Sequence, residues 1–228
     1  MEEPQVAQGP RLLVGKVFVF TRILAGMLLL WGEVLFAEPL SALLDQLKNP
    51  DQDVRRQAVA RLGDVGDQTA VTPLVQALAD SDEVVRQLAE HSLWQVWSRS
   101  GDATVDALYQ EGIFFMQSGQ LPEAVAKFGE VIALAPTFAE AWNKRATVYY
   151  LQGEFEKSLT DCEVVIRLNP VHFGALSGMG LNHLQLDQPE QALGAFERAL
   201  QVNPNLDQIR ALAEELREQS HHRRQDYI

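Results

Sequence analysis

Few residues of this chain combine a type and a spacing that could carry out chemistry. Cys162 stands between Asp161 and Glu163, where it could act as an activated thiol, and His172 and His183 could exchange protons or bind a metal ion. The sequence has no glycine-rich phosphate-binding loop, no G-x-S-x-G elbow and no paired cysteines or histidines at metal-ligand spacing. These observations predict a protein that is not an enzyme and that uses no cofactor or metal.

The charge of the chain limits its partners. Its 228 residues include 31 acidic and 19 basic side chains, which gives a formal net charge of −12. A nucleic-acid-binding protein needs a basic face that displaces the counterions of the phosphates, and no segment supplies one. We therefore expect no nucleic-acid partner. The single cysteine, Cys162, excludes an internal disulfide.

The elements that would position these residues repeat along the chain. Three prolines recur 34 residues apart: Pro136, Pro170 and Pro204. The chain divides there without a gap into three segments: 105–138, 139–172 and 173–206. Small and large residues alternate at matching places of the segments, as they do where two antiparallel helices pack closely. This pattern resembles that of the tetratricopeptide repeat (TPR) family, whose repeats are stacked helical hairpins.

The repeat predicts the environment of the candidate reactive residues. Cys162 takes the place that Phe128 and Phe196 fill in the other two repeats, so we expect a buried and inert thiol. His183 replaces an aromatic packing residue, which favours a core histidine over a metal ligand. His172 falls in the turn between two repeats, where a solvated side chain is expected.

Residues 38–104 carry a second, shorter period. A shift of 31 residues aligns Arg55 with Arg86, and apolar residues three and four apart mark amphipathic helices. The stretches DQDVRRQAVARLGDVGD and DSDEVVRQLAEHSLWQVW resemble HEAT-like repeats, including the short kind found in phycobilisome lyases. We expect both arginines to bond to acids or turn carbonyls of neighbouring repeats, and Trp94 and Trp97 to cover the junction with the next array.

Residues 1–37 have the parts of a secretory signal peptide. Basic residues precede a short apolar run over residues 23–31, and Ala37 ends the segment before a polar start. A cleaved leader implies an exported protein, periplasmic or extracellular. The apolar run is shorter than the ~20 residues that span a bilayer. An uncleaved membrane anchor over residues 23–37 and a buried helix are the alternatives.

These periods together predict an all-α fold, a right-handed α-solenoid of helical hairpins. We expect a signal peptide or membrane anchor in residues 1–37 and a HEAT-like segment in residues 38–104. Three TPR repeats follow in residues 105–206, and a capping helix with a tail occupies residues 207–228.

The resemblance to TPR proteins also implies a binding site, because the first helices of successive repeats line a concave groove. The groove-facing positions of the family, carried over to this sequence, give a set of peptide-binding residues. They are Tyr109, Ile113, Met116, Asn143, Thr147, Tyr150, Ser177 and Leu181. We expect a nearly neutral, amphipathic surface that is aromatic at its centre.

One well-known use of that groove does not fit these residues. Family members that bind the acidic C-termini of heat-shock chaperones use lysine, asparagine and other basic residues at defined groove positions. The corresponding residues of this chain are Tyr109, Ile113, Lys144, Gly174 and Gly178. The carboxylate clamp is absent, which argues against a chaperone C-terminal carboxylate as the partner.

Two charged residues occupy a position where the family prefers leucine. Glu111 lies there in the first repeat and Arg145 in the second. Because equivalent positions of neighbouring repeats stack, we expect a partly buried Glu111–Arg145 ion pair. The alternative is that Arg145 faces a ligand.

The function predicted from the sequence is that of a non-enzymatic interaction scaffold or adaptor. Its concave TPR groove would bind a peptide or helix of a partner protein, and the preformed surface would lower the entropy lost on binding. Two alternatives stay open. One is an accessory factor of cofactor attachment that resembles the HEAT-like lyases, and the other is a membrane-tethered assembly factor.

Overall fold

The structure is a computed structural model that describes the backbone of residues 38–225 and the side chains of residues 38–221. Every regular element within these residues is helical, as the two periods predict. The chain from Leu40 onward forms one compact unit. The predicted leader, residues 1–37, lies outside the described part of the chain. None of the described helices is long and apolar enough to cross a membrane.

The HEAT-like segment forms two helical hairpins. Its helices are α1 (Leu40–Gln46), α2 (Gln52–Val65), α3 (Val71–Ala77) and α4 (Glu83–Trp97), with a 3-10 turn at Gln68–Ala70 before α3. Two aspartates set the starts of the longer helices, because their carboxylates accept hydrogen bonds from free backbone N–H groups. Asp51 accepts from Asp53 N at the start of α2, and Asp82 accepts from Val85 N at the start of α4.

The repeats that follow form three hairpins and a final helix. They consist of α5 (Ala103–Gln117), α6 (Leu121–Leu134), α7 (Ala139–Leu151), α8 (Phe155–Leu168), α9 (Phe173–Gln185), α10 (Pro189–Val202) and α11 (Asp207–Gln225). The turn inside each hairpin needs a residue with positive φ, which Gly119, Gly153 and Asp187 supply at 73°, 78° and 56°. In the third turn an aspartate therefore adopts the conformation that glycine has in the other two.

Small residues on the first helix of a hairpin let the second helix approach closely. A methyl group at Gly112 would overlap the ring of Phe128, and one at Gly180 would overlap the ring of Phe196. Both rings are fully buried. The alternation of small and large residues is thus the packing rule of the array.

The core of the HEAT-like segment extends into the third TPR repeat. Leu62, Leu74 and Leu93 are completely buried, and Phe173 at the start of α9 belongs to the same apolar cluster. Trp94 packs against this cluster as well. The prediction that the tryptophans cover the junction is confirmed.

The two repeated arginines close the turns of the HEAT-like segment. Arg55 donates to both carboxylate oxygens of Asp80 at 2.8 and 2.7 Å, and also to the carbonyl of Asn49. Arg86 donates to the carbonyl of Asp80 and to Asn205 Oδ1, which lies near the end of the third TPR repeat. The prediction of bonds to acids or turn carbonyls of neighbouring repeats is confirmed for Arg55, which reaches Asp80 of the next hairpin, whereas Arg86 bonds to the turn of its own hairpin and to Asn205.

Candidate functional site

A depression of about 200 Å³ opens on the inner side of the second and third TPR repeats. The first helices of these repeats, α7 and α9, form its walls, and α8 contributes to its floor. Its lining residues are Asn143, Ala146, Thr147, Tyr150, Ser158, Cys162, Gly174, Ser177, Gly178, Leu181 and Asn182. We call this feature the repeat 2–3 depression.

The structure brings together five of the eight residues that the sequence assigned to a peptide site. Asn143, Thr147 and Tyr150 lie on one face of α7, and Ser177 and Leu181 lie on α9 opposite them. Their spacings of three and four residues put each set on one helix face.

The three residues of the first repeat lie elsewhere. Ile113 and Met116 pack against the apolar cluster between α5 and α6, and Tyr109 is a buried member of that cluster. The ring of Tyr109 contacts Phe138 edge-on, with centroids 5.3 Å apart, and burial raises the pKa of its hydroxyl well above the ordinary value. Tyr109 is therefore a core residue of the first repeat in this structure.

The hydrogen bonds of the depression leave it short of donors. The hydroxyls of Thr147 and Ser177 donate to carbonyls of their own helices, and Ser158 Oγ donates to the carbonyl of Ala146. The amide nitrogen of Asn182 donates to Ser158 Oγ and to the carbonyl of Gly178, both at 2.8 Å. Its amide oxygen, Oδ1, is buried and has no hydrogen-bond partner within residues 38–221.

The thiol at the floor of the depression is inert. Cys162 is buried, and burial together with the nearby charge of Asp161 raises its pKa to about 12. The prediction of a buried core thiol is confirmed. Within the described residues no group of three or more histidine, cysteine, aspartate and glutamate side chains is placed to hold a metal ion.

Helix α4 of the HEAT-like segment covers the neighbouring end of the inner surface. Trp94 projects onto Gly174 at the start of α9, where a methyl group would overlap the indole ring. Lys144 lies above the same ring, 5.3 Å from its centroid. Two positions of the family's carboxylate clamp are thus in contact with the chain's own tryptophan.

His172 is part of this covered end, and the prediction of a solvated side chain is wrong. The side chain is fully buried, and its ring stacks on Trp97 with centroids 4.4 Å apart. His172 Nδ1 accepts the backbone N–H of Ala175 and so caps α9. Nε2 must then carry the proton and donate it to Glu140 Oε2, 2.9 Å away.

Glu140 is the buried charge around which this end is built. Asn143 donates to the same oxygen as His172, while Lys144 Nζ lies 3.0 Å from Oε1, at ion-pair distance but without hydrogen-bond geometry. Burial opposes the charge, yet the bond from His172 and the charge of Lys144 leave the pKa of Glu140 below its ordinary value. This role of Glu140 was not identified from the sequence. The available signal was the pair Trp94 and Trp97 on α4, which were expected to cover the junction with the TPR array.

The predicted Glu111–Arg145 ion pair is wrong. Arg145 makes a two-pronged contact with Asp161 on the facing helix of its own hairpin, with Nε–Oδ2 and Nη2–Oδ1 distances of 2.7 and 2.8 Å. Glu111 instead lies 3.2 Å from Lys127 Nζ, also within one hairpin. Each charge reaches a partner across its own hairpin, so neither extends to the next repeat.

Three family models match separate parts of the chain. The model for HEAT repeats matches residues 21–94, one for the TPR repeat matches residues 114–153, and one for the tetratricopeptide repeat matches residues 173–206. A TPR repeat-containing protein of Rhizobium etli is 38% identical over 124 residues, which are 53% of this chain and 61% of that relative. The chain thus matches less than two thirds of that relative.

Solved TPR domains have the same fold as about half of this chain. The first TPR domain of Spaghetti (RPAP3), bound to an HSP90 peptide, superposes with a TM-score of 0.51 at 21% identity. The superposition covers 53% of this chain and 96% of that domain. The Sgt2 TPR domain of Aspergillus fumigatus gives the same TM-score and identity over 54% of this chain and 83% of that domain. The chain therefore contains TPR repeats, which lie on the C-terminal side of HEAT-like repeats.

Proposed function

We propose that this protein is a non-enzymatic interaction scaffold that binds a peptide segment of a partner protein in the repeat 2–3 depression. The observation that carries the proposal is the convergence of five groove-facing residues of two successive repeats on one concavity. Rigid helices hold these side chains, so that little conformational entropy is lost when a partner binds. TPR domains of this kind bind peptide partners, as the Spaghetti domain does.

We further propose that the partner is not an acidic chaperone tail, although the Spaghetti domain was solved with an HSP90 peptide. The groove lacks the basic clamp residues, and Lys144, the one cation at a clamp position, is engaged with Glu140 and Trp94. Trp94 also lies on Gly174, at another clamp position. An acidic C-terminus would meet a covered surface on a protein of net charge −12.

A peptide library displayed on phage and panned on the full chain tests the binding function. We expect enriched peptides whose affinity falls at least tenfold with Tyr150→Ala combined with Thr147→Ala, since both side chains line the depression. Phe114→Ala removes an aromatic side chain that is 63% exposed outside the depression, and it should leave the affinity unchanged. The proposal fails if no peptide is enriched, or if the two variants act alike.

We also propose that the protein is exported or membrane-associated through residues 1–37. The basic and apolar pattern of that segment supports this proposal. The HEAT-repeat match, which includes residues 21–37, argues against it. N-terminal sequencing of the native protein distinguishes a cleaved leader from a retained N-terminal segment. A start at Glu38 supports a cleaved leader, whereas a mature protein that is not membrane-associated and retains residues 21–37 contradicts the proposal.

A further inference from the structure

We propose that two copies of this chain form a dimer by pairing their α5 helices antiparallel, through a face that holds Ala107, Gln110, Glu111 and Phe114. We call this surface the α5 end face. Its residues lie three, four and seven apart and therefore share one side of the helix. Phe114 is 63% exposed, and the other three are exposed as well. Self-association through this face is independent of the peptide-binding function proposed above.

The equivalent face of the second repeat is buried. A shift of 34 residues places Ala107 on Ala141 and Phe114 on Val148. Ala141 and Val148 are completely buried, and both belong to the apolar cluster of the first hairpin, α5 and α6. This face of a first helix is therefore the one that packs against the hairpin that precedes it.

The third repeat follows the same rule, and the first repeat does not. In the third repeat the equivalent residues, Ala175 and Asn182, are buried, and the side-chain amide of Asn182 donates to Ser158 Oγ of the preceding hairpin. Within the described part of the chain no hairpin takes that place in front of α5, because the HEAT-like core reaches Phe173 of the third repeat instead and Phe114 stays exposed. A repeat array needs a polar cap at an open end, and an exposed phenylalanine does not supply one.

The α5 end face is complementary to itself. When a two-fold axis passes between Gln110 and Glu111, Phe114 of one copy meets Ala107 of the second copy, so that a large side chain lies opposite a small one. Gln110 of one copy then meets Glu111 of the second copy, and its amide N–H groups can donate to the carboxylate. Lys127 Nζ lies 3.2 Å from Glu111 and so reduces the repulsion between the two carboxylates near the axis.

The opposite end of the array does not fit the α5 end face. Helix α11 covers that end, and its exposed residues include Glu214, Glu215 and Glu218. Packing these carboxylates against Phe114 would remove their hydration. Head-to-tail stacking of copies is therefore disfavoured, whereas the pairing of two α5 end faces closes after two copies.

Sedimentation equilibrium of the full chain, from low micromolar to millimolar concentration, tests the dimer. Helix α5 has 15 residues, fewer than the ~20–30 that each side of a standard interface contributes, so we expect a dissociation constant in the micromolar range. Phe114→Ala should raise that constant about tenfold or more, because each dimer loses two buried rings. Leu151→Ala is the matched control, since it removes a side chain that is 57% exposed on α7, and it should leave the constant unchanged.

An exchange of two residues tests the antiparallel register. Ala107→Phe alone places two large side chains opposite each other and should also weaken the dimer about tenfold. Ala107→Phe combined with Phe114→Ala again places a large residue opposite a small one, so the dissociation constant should return to within about threefold of the parent value. Both positions are exposed in the monomer, and circular dichroism checks that each variant folds.

Three outcomes would overturn the α5 dimer. The first is a chain that stays monomeric throughout the concentration range, and the second is a dimer whose dissociation constant is the same in Phe114→Ala. The third is a dimer that Phe114→Ala weakens and the exchange does not restore, because Phe114 would then meet something other than Ala107 of the second copy. The repeat 2–3 depression lies on other helices, so each of these outcomes leaves the peptide-binding proposal to its own test.

Discussion

At the scale of single residues, the contact between Arg145 and Asp161 is a two-pronged ion pair of the second repeat. The aspartate side chain is 4% exposed and the arginine 19%, and their bidentate geometry satisfies both charges. Arg145→Met leaves a buried carboxylate without its cation, so we expect the free energy of unfolding to fall by ~3 kcal/mol. Urea denaturation at neutral pH measures the change.

A double-mutant cycle identifies the partner of Arg145. We expect a coupling energy of ~1–3 kcal/mol for Arg145→Met with Asp161→Asn and a value near zero for Arg145→Met with Glu111→Gln. The reverse order of the two couplings would contradict the pairing seen in the structure.

Asp82 makes the stability of the HEAT-like segment depend on pH. Hydrogen bonds from Arg56 outweigh the effect of desolvation and lower the pKa of Asp82 to about 2, and the same carboxylate caps α4. Because the folded-state pKa lies below the unfolded value of ~3.9, this stabilisation is present above about pH 4 and is lost as the pH falls towards 2.

The variant Asp82→Asn tests this dependence. We expect it to be less stable than the parent at pH 7 and to approach the parent's stability near pH 2, as measured by urea midpoints across that range. Asp64→Asn changes an exposed acid of α2 and should show no comparable pH-dependent difference. A gap between Asp82→Asn and the parent that stays constant with pH would show that the carboxylate charge is not the cause.

At the scale of elements, His172 joins a helix cap to a buried charge. It accepts from Ala175 at the start of α9, donates to Glu140 on α7 and stacks on Trp97 of α4. His172→Phe keeps an aromatic ring but removes both hydrogen bonds, so we expect a loss of ~3 kcal/mol in the free energy of unfolding. Chemical denaturation checks the value.

The control for that variant is a histidine of the neighbouring helix. His91 lies exposed on α4, so His91→Phe should change stability by less than ~0.5 kcal/mol. If both variants lost the same stability, the bonds of His172 would contribute nothing measurable.

Sequence patterns predict what happens within a repeat better than what happens between arrays. The positive-φ turns and the placement of Cys162 follow from one 34-residue period, since each position meets the same neighbours in every hairpin. Helix α4 belongs to the segment with the 31-residue period but packs against the array with the 34-residue period. Because the two periods share no register, the sequence does not indicate which residues meet. For that reason His172 was expected to be solvated and the role of Glu140 was not identified, although both residues are buried.

The candidate site was predictable to the same extent. Thr147, Tyr150, Ser177 and Leu181 line the depression because helical spacing fixes which side of α7 and α9 they occupy. Tyr109 was misplaced because its side chain packs edge-on against Phe138 at the end of the same repeat. The partner of Arg145 was misassigned because the stacking of equivalent positions favoured Glu111, whereas the acid that Arg145 contacts, Asp161, lies on the facing helix of the same hairpin.

At the scale of the whole molecule, the HEAT-like and TPR arrays share a core rather than meeting as separate domains. Phe173 at the start of α9 belongs to the apolar cluster of the HEAT-like helices, and Trp94 packs edge-on against it with centroids 5.3 Å apart. At the end of the third repeat, Asn203 bonds to Glu90 and Asn205 bonds to the carbonyl of Leu78. Because of these contacts, we expect α4 and α9 to unfold together as one cooperative unit.

Hydrogen exchange of the full chain, measured at increasing urea concentrations, tests this cooperativity. We expect amides of α4 and α9 to exchange with the same opening free energy, because helices that share a core unfold as one unit. Trp94→Ala should lower both values together by ~3 kcal/mol, since the indole contacts both helices. As a control, Leu216→Ala weakens the separate cluster between α10 and α11 and should first affect α11. If Trp94→Ala lowered protection in α4 while α9 kept the parent's value, the two arrays would be independent, and the cover over the inner surface of the TPR array would be free to open on its own.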